Sequence, residues 1–173
     1  MSGHNKWSQI KRQKGAEDAK KSKRFSMLAR TITMEAKRAN GDRNASGLKT
    51  AIEKARAEDV PNENIERAIK NALGADSAEL TAVLYEAYGP GGVAMMIEGI
   101  TDSKNRTSQE IKHILSQHGS ALATPGSVTW AFHNRQPLSP IPLNEGDRAT
   151  LEALLNDLND HNDVELVVTN AAV

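Results

Sequence analysis

The spacing of the apolar residues changes once along this chain, near residue 75, and that change divides it into two parts. Three alanine-rich stretches before this point carry apolar residues three and four positions apart, the period of an amphipathic helix. From residue 80 onward the apolar residues gather in short runs typical of strands, with two further helical stretches between them. The sequence therefore predicts a multi-domain α+β protein, in which a three-helix bundle precedes an α/β sandwich domain.

We place the helix bundle at residues 25–74. Asn40-Gly41-Asp42 and Val60-Pro61-Asn62 separate the helices, and Gly74 ends the third. No helix of this length would be stable alone, so the shared apolar surface must hold the three together. Its three stripes are Phe25, Leu28, Ala29, Ile32 and Ala36; Leu48, Ala51, Ile52 and Ala55; and Ile65, Ala68, Ile69 and Ala72.

The second domain, residues 80–173, has the predicted order β-β-α-β-α-β, with both helices on one face of the sheet. Gly89-Pro90-Gly91-Gly92 predicts a hairpin turn between the first two strands. Residues 133–146 contain three prolines and no periodicity, and are predicted to be a connector. The predicted strands are Ala82–Tyr88, Val93–Ile100, Ser127–Phe132 and Val164–Thr169, and the helices are Asn105–His118 and Thr150–Leu158.

A net charge of zero conceals a strong difference between the two parts. Residues 1–73 contain 17 Lys/Arg and 9 Asp/Glu, whereas residues 74–173 contain 5 and 13. This asymmetry indicates a polyanionic partner for the first part only. The alternative is that the lysines lie on a helical surface that is exposed to solvent and binds no partner.

The basic residues are densest in residues 1–24, where eight Lys/Arg face two acids and few side chains could be buried. We predict a flexible basic arm here that binds nucleic acid through phosphate contacts, with Trp7 or His4 stacking on an unpaired base. Its predicted contact residues are His4, Lys6, Trp7, Lys11, Arg12, Lys14, Lys20, Lys21, Lys23 and Arg24.

Two further cationic positions could assist. Lys104 and Arg106 lie at the predicted start of a helix, where they could hold a phosphate; the alternative is an ordinary capped loop. The third bundle helix could present Arg67 and Lys70 as a recognition helix, but Glu63 and Glu66 beside them would repel phosphate.

No motif in the sequence predicts catalysis. There is no cysteine, the five histidines are scattered, and no serine lies in a Gly-x-Ser-x-Gly turn. Gly89-Pro90-Gly91-Gly92 lacks the Lys-Ser/Thr of a nucleotide-binding loop, leaving a tight turn or a close approach of backbone to a ligand as its alternatives. We predict a cytoplasmic non-enzyme without a metal, cofactor, small-molecule substrate or membrane segment.

Several long motifs, in order, resemble the YebC/PmpR family, which includes the mitochondrial translational activator of cytochrome c oxidase. They cover residues 1–132 and about 149–170. The motifs are residues 1–7 (MSGHNKW), 10–14 (IKRQK), 18–21 (DAKK), 64–70 (NIERAIK), 85–94 (YEAYGPGGVA), 101–107 (TDSKNRT), 118–120 (HGS) and 125–128 (PGSV).

The resemblance implies a helical N-terminal domain followed by α/β domains, and binding to nucleic acid. Family members are described as DNA-binding transcriptional regulators and as ribosome-associated translation factors that relieve stalling, notably on proline-rich sequence. The implied partners are therefore the ribosome with ribosomal RNA or tRNA, or alternatively duplex DNA. Relatives usually carry a third domain inserted after the strand matching Ser127–Phe132, where this chain has only residues 133–146. We predict a short form that lacks that domain.

Overall fold

The computed structural model describes the backbone of residues 3–74 and 79–172, and the side chains of those residues from 15 onward. The chain forms two compact units, Met1–Glu79 and Leu80–Val173. The first is helical, and the second combines helices with a four-stranded sheet. The predicted α+β class, a helix bundle followed by a sandwich, is confirmed.

The first unit is a bundle of three helices, α1 (Gly3–Arg38), α2 (Ser46–Ala57) and α3 (Asn62–Ala72). The residues of the three predicted stripes form its core, with Phe25 and Ala29 packed at the edge. Ile32, Leu48 and Ile65 are almost completely buried, and each contributes about 1.5–3 kcal/mol of burial free energy. The alanines between them let the helix backbones approach closely.

The basic N-terminal segment differs from its prediction as a flexible arm over residues 1–24. From Gly3 its backbone is α-helical and continuous with the bundle part of α1. The physical reason is cooperativity: residues 25–38 are fixed by packing, so the helix extends toward the N-terminus without a new nucleus. Its lysines, glutamines and alanines are good helix formers, and proline is absent.

The second unit contains a sheet in the order β3-β1-β2-β6, in which all neighbours are antiparallel. Helices α4 and α5 pack on one face of it, around Met95, Ile97, Leu115 and Leu154. Its elements are β1 (Thr81–Tyr88), β2 (Ala94–Thr101), α4 (Lys104–Gln117), β3 (Ala121–Leu122), β4 (Phe132–His133), β5 (Gln136–Pro137), α5 (Glu145–Asp160) and β6 (Val164–Thr169).

The predicted strand Ser127–Phe132 is wrong. Thr129–Ala131 form a single 3-10 turn, and the third strand of the sheet is instead the short β3. The buried Glu86 carboxylate accepts hydrogen bonds from the backbone N–H groups of Gly126 and Val128, at 2.7 and 2.8 Å. These donors are therefore not free for a strand ladder. The apolar side chains of the segment cover the second face of the sheet instead.

The connector predicted at residues 133–146 contains more structure than its sequence indicates. The short hairpin β4–β5 turns through Asn134 and Arg135, both with positive φ. Helix α5 begins before its apolar stripe, at Glu145, because Asn144 caps it by accepting a hydrogen bond from the Asp147 N–H at 2.8 Å.

The glycine-rich turn between β1 and β2 packs against the segment that precedes α5. Gly91 has a φ of 67°, and a Cβ there would lie 2.3 Å from Leu143 Cδ2. Its bare backbone is therefore required by packing within the unit, which supports the interpretation as a tight turn.

Candidate nucleic-acid interface

The predicted contact residues divide into two groups along α1. His4, Lys6, Trp7, Lys11, Arg12 and Lys14 lie on the helical backbone of α1, but their side chains are outside the described residues. Lys20, Lys21 and Arg24 are exposed and Lys23 is half-buried. These four precede the part of α1 that enters the core.

The described cations of this segment point in different directions. The Lys21 ammonium lies 5.4 Å from the centroid of the Phe25 ring, one helical turn further on. Arg24 donates to Glu58 Oε2 at 2.9 Å, with 62% of its side chain exposed. Exposed ion pairs of this kind contribute little to stability, so Arg24 can exchange its carboxylate partner for a phosphate at small cost.

An open groove of about 580 Å3 runs between α1 and α3 in the first unit. Helical spacing brings Lys21, Phe25 and Ala29 to the α1 side of this groove, and Arg67 and Asn71 to the α3 side. Thr33 lies at its floor, where its hydroxyl donates to Ala29 O at 2.9 Å and approaches Ala68 O at 3.3 Å. Small residues on both helices keep the groove open.

The groove has the chemistry of a phosphate and ribose site. Lys21, Arg30 and Arg67 contribute three positive charges to its lining, against the single acid Asp18. Asn64 and Asn71 add amide donors and acceptors to the same lining. The arrangement can hold a polyanion and offers hydrogen bonds to sugar hydroxyls.

Sequence reasoning named Lys21, and it considered Arg67 as part of a recognition helix, but it did not find the other polar residues of the groove. Arg30, Asn64 and Asn71 lie outside the basic segment, and only the pairing of α1 with α3 brings them to Lys21. A signal was available in the sequence, because polar residues that flank the apolar stripes of α1 and α3 are expected at the edges of the contact between the two helices.

The third helix is not an independent recognition surface in this geometry. Arg67 faces the groove with α1, while Lys70 is exposed elsewhere on α3. Arg43 binds Glu66 through both guanidinium nitrogens, and this hydrogen bonding lowers the pKa of the Glu66 carboxyl below its usual range. The repulsion that Glu66 was expected to exert on phosphate is therefore largely neutralised.

The second predicted phosphate site, at the start of α4, has a different arrangement. Arg106 donates to Asp163 Oδ2 at 2.9 Å and to Asp102 Oδ1 at 2.8 Å, and it lies 3.8 Å from Glu110. The hydrogen bond to Asp163, followed by that to Asp102, raises the pKa of the Arg106 guanidinium. This geometry weakens the expectation for Arg106, whereas Lys104 is exposed and makes no ion pair with any described residue.

Glu110, His161 and Asp163 form the one described cluster whose ligand atoms could surround a metal ion. The same atoms already bond to one another and to Arg106. His161 Nε2 lies 2.9 Å from Glu110 Oε2, and its Nδ1 accepts from the Asp163 N–H at 3.1 Å. Asp163, which is 2% exposed, also accepts from the Thr107 hydroxyl at 2.7 Å. We interpret the cluster as a polar network that joins α4 to the loop before β6.

Comparison with known proteins identifies the family of this molecule. The sequence model of the TACO1/YebC protein N-terminal domain matches residues 5–75, and that of the TACO1/YebC second and third domain matches residues 80–136. The chain belongs to the TACO1/YebC family. The candidate interface lies in the part that matches the family's N-terminal domain.

Relatives within the TACO1/YebC family match most of the chain. A protein of Petrotoga mobilis is 46% identical over 177 residues, which cover 98% of this chain and 70% of that protein. A protein of Thermoanaerobacter pseudethanolicus is 52% identical over 134 residues, covering 76% of this chain and 54% of that one. Both carry the name "probable transcriptional regulatory protein".

A solved structure shares the fold. The crystal structure of a conserved hypothetical protein, Aq1575 of Aquifex aeolicus, matches with a TM-score of 0.79 at 26% identity, over 90% of this chain and 91% of that one.

Among the described helices, none has the length and apolar character needed to cross a membrane.

Proposed function

We propose that this protein is a ribosome-associated translation factor that binds RNA through its basic first unit and relieves stalled elongation, for example on proline-rich sequence. The observation that carries the proposal is the groove between α1 and α3, with Lys21 and Arg67 on its opposite sides. The backbone of α1 continues from one end of this groove toward the N-terminus, and this part of the sequence carries further Lys and Arg residues.

Folded RNA fits this shape better than a uniform duplex does. From Gly3 to Glu17, before it reaches the groove, α1 is a narrow helical projection about 22 Å long, at 1.5 Å per residue. Lys21 faces the groove while Arg24 points toward Glu58, so the cations do not share a single face. A projection of this kind suits a crevice in which phosphates approach from several sides, with Trp7 or His4 stacking on an unpaired base. The partner would be ribosomal RNA or tRNA in the cytoplasm.

The proposed activity is binding without catalysis. The clustered polar groups of the second unit, around Asp163, bond to one another instead of facing a cleft. We therefore propose no cofactor, and we assign to Lys104 only a secondary phosphate contact. We retain the prediction that residues 133–146 replace an inserted third domain. The match to the family's second and third domain ends at residue 136, within this segment.

A DNA-binding transcriptional regulator is the second candidate. The observation that favours it is the name shared by the curated relatives. Such a protein would hold duplex DNA in the same groove, and it would prefer a defined duplex to random sequence.

Sedimentation of tagged protein through a gradient at low and moderate salt, with and without ribonuclease, separates the candidates. The translation-factor proposal predicts co-migration with ribosomes that ribonuclease abolishes. The double variant Lys21→Ala/Arg67→Ala should leave the ribosome fraction. The matched control Lys49→Ala/Lys112→Ala, which removes two exposed charges away from the groove, should remain.

Two outcomes would contradict the proposal. Protein that stays free of ribosomes and binds one duplex far more tightly than random DNA would establish the transcriptional regulator. Protein that binds neither nucleic acid would leave an adaptor between proteins as the remaining class.

A further inference from the structure

The second unit has an unpaired strand edge that the proposed function does not use. Strand β1 is bordered on its inner side by β2 along its whole length, but on its outer side β3 pairs only with Ala87 and Tyr88. No described segment pairs with Thr81–Tyr85 on that side. The chain itself leaves the edge after Ala123, because Pro125 cannot donate to a ladder.

The direction of the backbone groups can be derived from neighbouring bonds. Glu86 O accepts from the Ala123 N–H at 2.7 Å, so Glu86 directs its peptide groups toward the outer edge. Alternation along a strand then directs the N–H and C=O groups of Ala82 and Leu84 the same way. On the far side of β2, the Ile100 N–H donates to Asp163 O at 2.9 Å, which agrees with this phase. A row of free donors and acceptors therefore lines the edge.

A groove of about 410 Å3 lies along this edge, between β1 and the first turns of α4. Its lining combines residues 82–85 of β1 with Lys104, Asn105 and Ser108 of α4. Lys104 is exposed and has no carboxylate partner among the described residues, so it supplies an unpaired positive charge in an otherwise acidic unit.

The two faces of the edge differ in character. Tyr85 and Ala87 lie on the face covered by α4 and α5, so alternation places Leu84 on the opposite face with Glu86. The Leu84 side chain is 51% exposed. An added strand would therefore meet Lys104 and Ser108 with one set of alternate side chains, and Leu84 with the other set.

We propose that the outer edge of β1 binds an extended segment of a partner protein, which joins the sheet beside β1 with an acidic side chain facing Lys104 and an apolar side chain beside Leu84. Backbone hydrogen bonds to Ala82 and Leu84 hold the segment, and the two side chains select it. A polypeptide fits this edge because it alone presents donors and acceptors at the spacing of a strand. This edge shares Lys104 with the secondary phosphate contact proposed above, but it uses no residue of the groove between α1 and α3 and does not depend on that groove binding RNA.

The test uses the full chain, labelled with 15N, and an acetylated, amidated peptide Thr-Leu-Glu-Leu-Thr-Val, which places Glu on one face and Leu on the other. We expect amide shifts and slowed hydrogen exchange at Ala82 and Leu84. A peptide with Lys in place of Glu should bind about twofold to fivefold more weakly, as expected for losing one exposed ion pair with Lys104.

Three variants locate the binding. Ala82→Pro removes an N–H that faces the groove and has no internal partner, so it should abolish peptide binding while the thermal melt stays close to that of the wild type. Lys104→Glu should reverse the preference between the Glu and Lys peptides. The control Lys112→Glu, an exposed lysine further along α4, should leave the preference unchanged.

Three results would overturn the proposal. The first is that millimolar peptide causes no amide shifts at Ala82 and Leu84. The second is that the wild type binds the Glu and Lys peptides equally, and the third is that the Lys104→Glu variant keeps the wild-type preference between them. A further contradiction would be a dimer in the free protein with the Ala82 and Leu84 amides already protected, because a second copy would then occupy the edge. If the Ala82→Pro variant does not fold, the wild-type protein is tested with a peptide that is N-methylated at its central residues. This peptide lacks the backbone donors of a strand and should fail to bind.

Discussion

Arginine is used differently in the two units. In the first unit, Arg67 lies in an open groove opposite Lys21, with a single acid, Asp18, in the lining. In the second unit, Arg106 is bonded to Asp163 and Asp102. Arg135 in the same unit is bonded through two nitrogens to Glu98. The first unit also pairs arginines, as in Arg24–Glu58 and Arg43–Glu66, but its excess of basic residues leaves Lys21 and Arg67 facing an open groove. In the second unit, where acids are in excess, Arg106 and Arg135 are both held by internal carboxylates.

The largest expected effect comes from breaking the pairing in the second unit. Asp163→Ala removes a buried carboxylate that accepts from both Thr107 and Arg106, so one buried hydrogen bond and one ion pair are lost together. We expect a loss of about 3 kcal/mol in the free energy of unfolding, measured by urea denaturation. RNA binding by the first unit, measured below the melting temperature, should be unchanged. A loss of RNA affinity in the folded variant would contradict the separation between the units.

The groove in the first unit should respond in the opposite way. Lys21→Ala/Arg67→Ala removes two phosphate contacts, so the slope of log affinity against log salt should fall in magnitude by about 1.4 for a single-stranded RNA. The free energy of unfolding should change by less than about 0.5 kcal/mol, since neither side chain is buried. Fluorescence anisotropy of a labelled RNA at several salt concentrations measures the slope, with Lys49→Ala/Lys112→Ala as the control.

Substitutions within residues 11–14 test whether the projecting part of α1 belongs to the same interface. Lys11→Ala/Arg12→Ala/Lys14→Ala should weaken RNA binding and reduce the salt slope by about 2, because three phosphate contacts are lost. These residues precede the core, so the thermal melt of the bundle should not move. A large loss of thermal stability would show instead that this segment is needed for the fold.

Arg106→Ala sharpens the contrast between the units at lower cost to the fold. The Arg106 side chain is partly exposed, so its removal should lower the melting temperature less than Asp163→Ala does. RNA affinity should equal that of the wild type. A loss of RNA affinity as large as that of the groove variant would restore Arg106 as a phosphate contact.

The smallest expected effect concerns acid stability. Arg43 lowers the pKa of Glu66 below its ordinary value of 4.5, chiefly through a hydrogen bond. A lowered pKa stabilises the fold above the ordinary value, and this stabilisation is lost as the pH falls from 4.5 through the lowered value. Glu66→Gln should therefore flatten the pH dependence of the melting temperature in that window. An unchanged pH profile would remove the role given to this pair.

The helix bundle could be predicted from sequence because its apolar residues follow one local period, and the buried set matches the predicted stripes. The strand predicted at Ser127–Phe132 failed because its composition is that of a strand, while its backbone N–H groups bond to the distant carboxylate of Glu86. The short hairpin β4–β5 was not predicted for a similar reason, since it depends on positive φ at Asn134 and Arg135. Contacts of this kind have no local signature.

The candidate site was predictable only in part. Charge density identified the segment that includes Lys21, but it could not distinguish a helix from a flexible arm. Arg30 and Asn71 join the site only because α1 packs on α3, which is information carried by the tertiary structure. Conversely, sequence alone made Arg106 equivalent to Lys104, and only the position of Asp163 separates them.

Ultraviolet crosslinking of the full chain to ribosomes, followed by mass spectrometry of the crosslinked peptides, tests the central claim most directly. The account predicts RNA crosslinks in residues 3–33 and 64–71, the two sides of the groove and its helical extension. These crosslinks should decrease in Lys21→Ala/Arg67→Ala and persist in Arg106→Ala. Crosslinks concentrated in residues 80–172, or none to RNA at all, would contradict it.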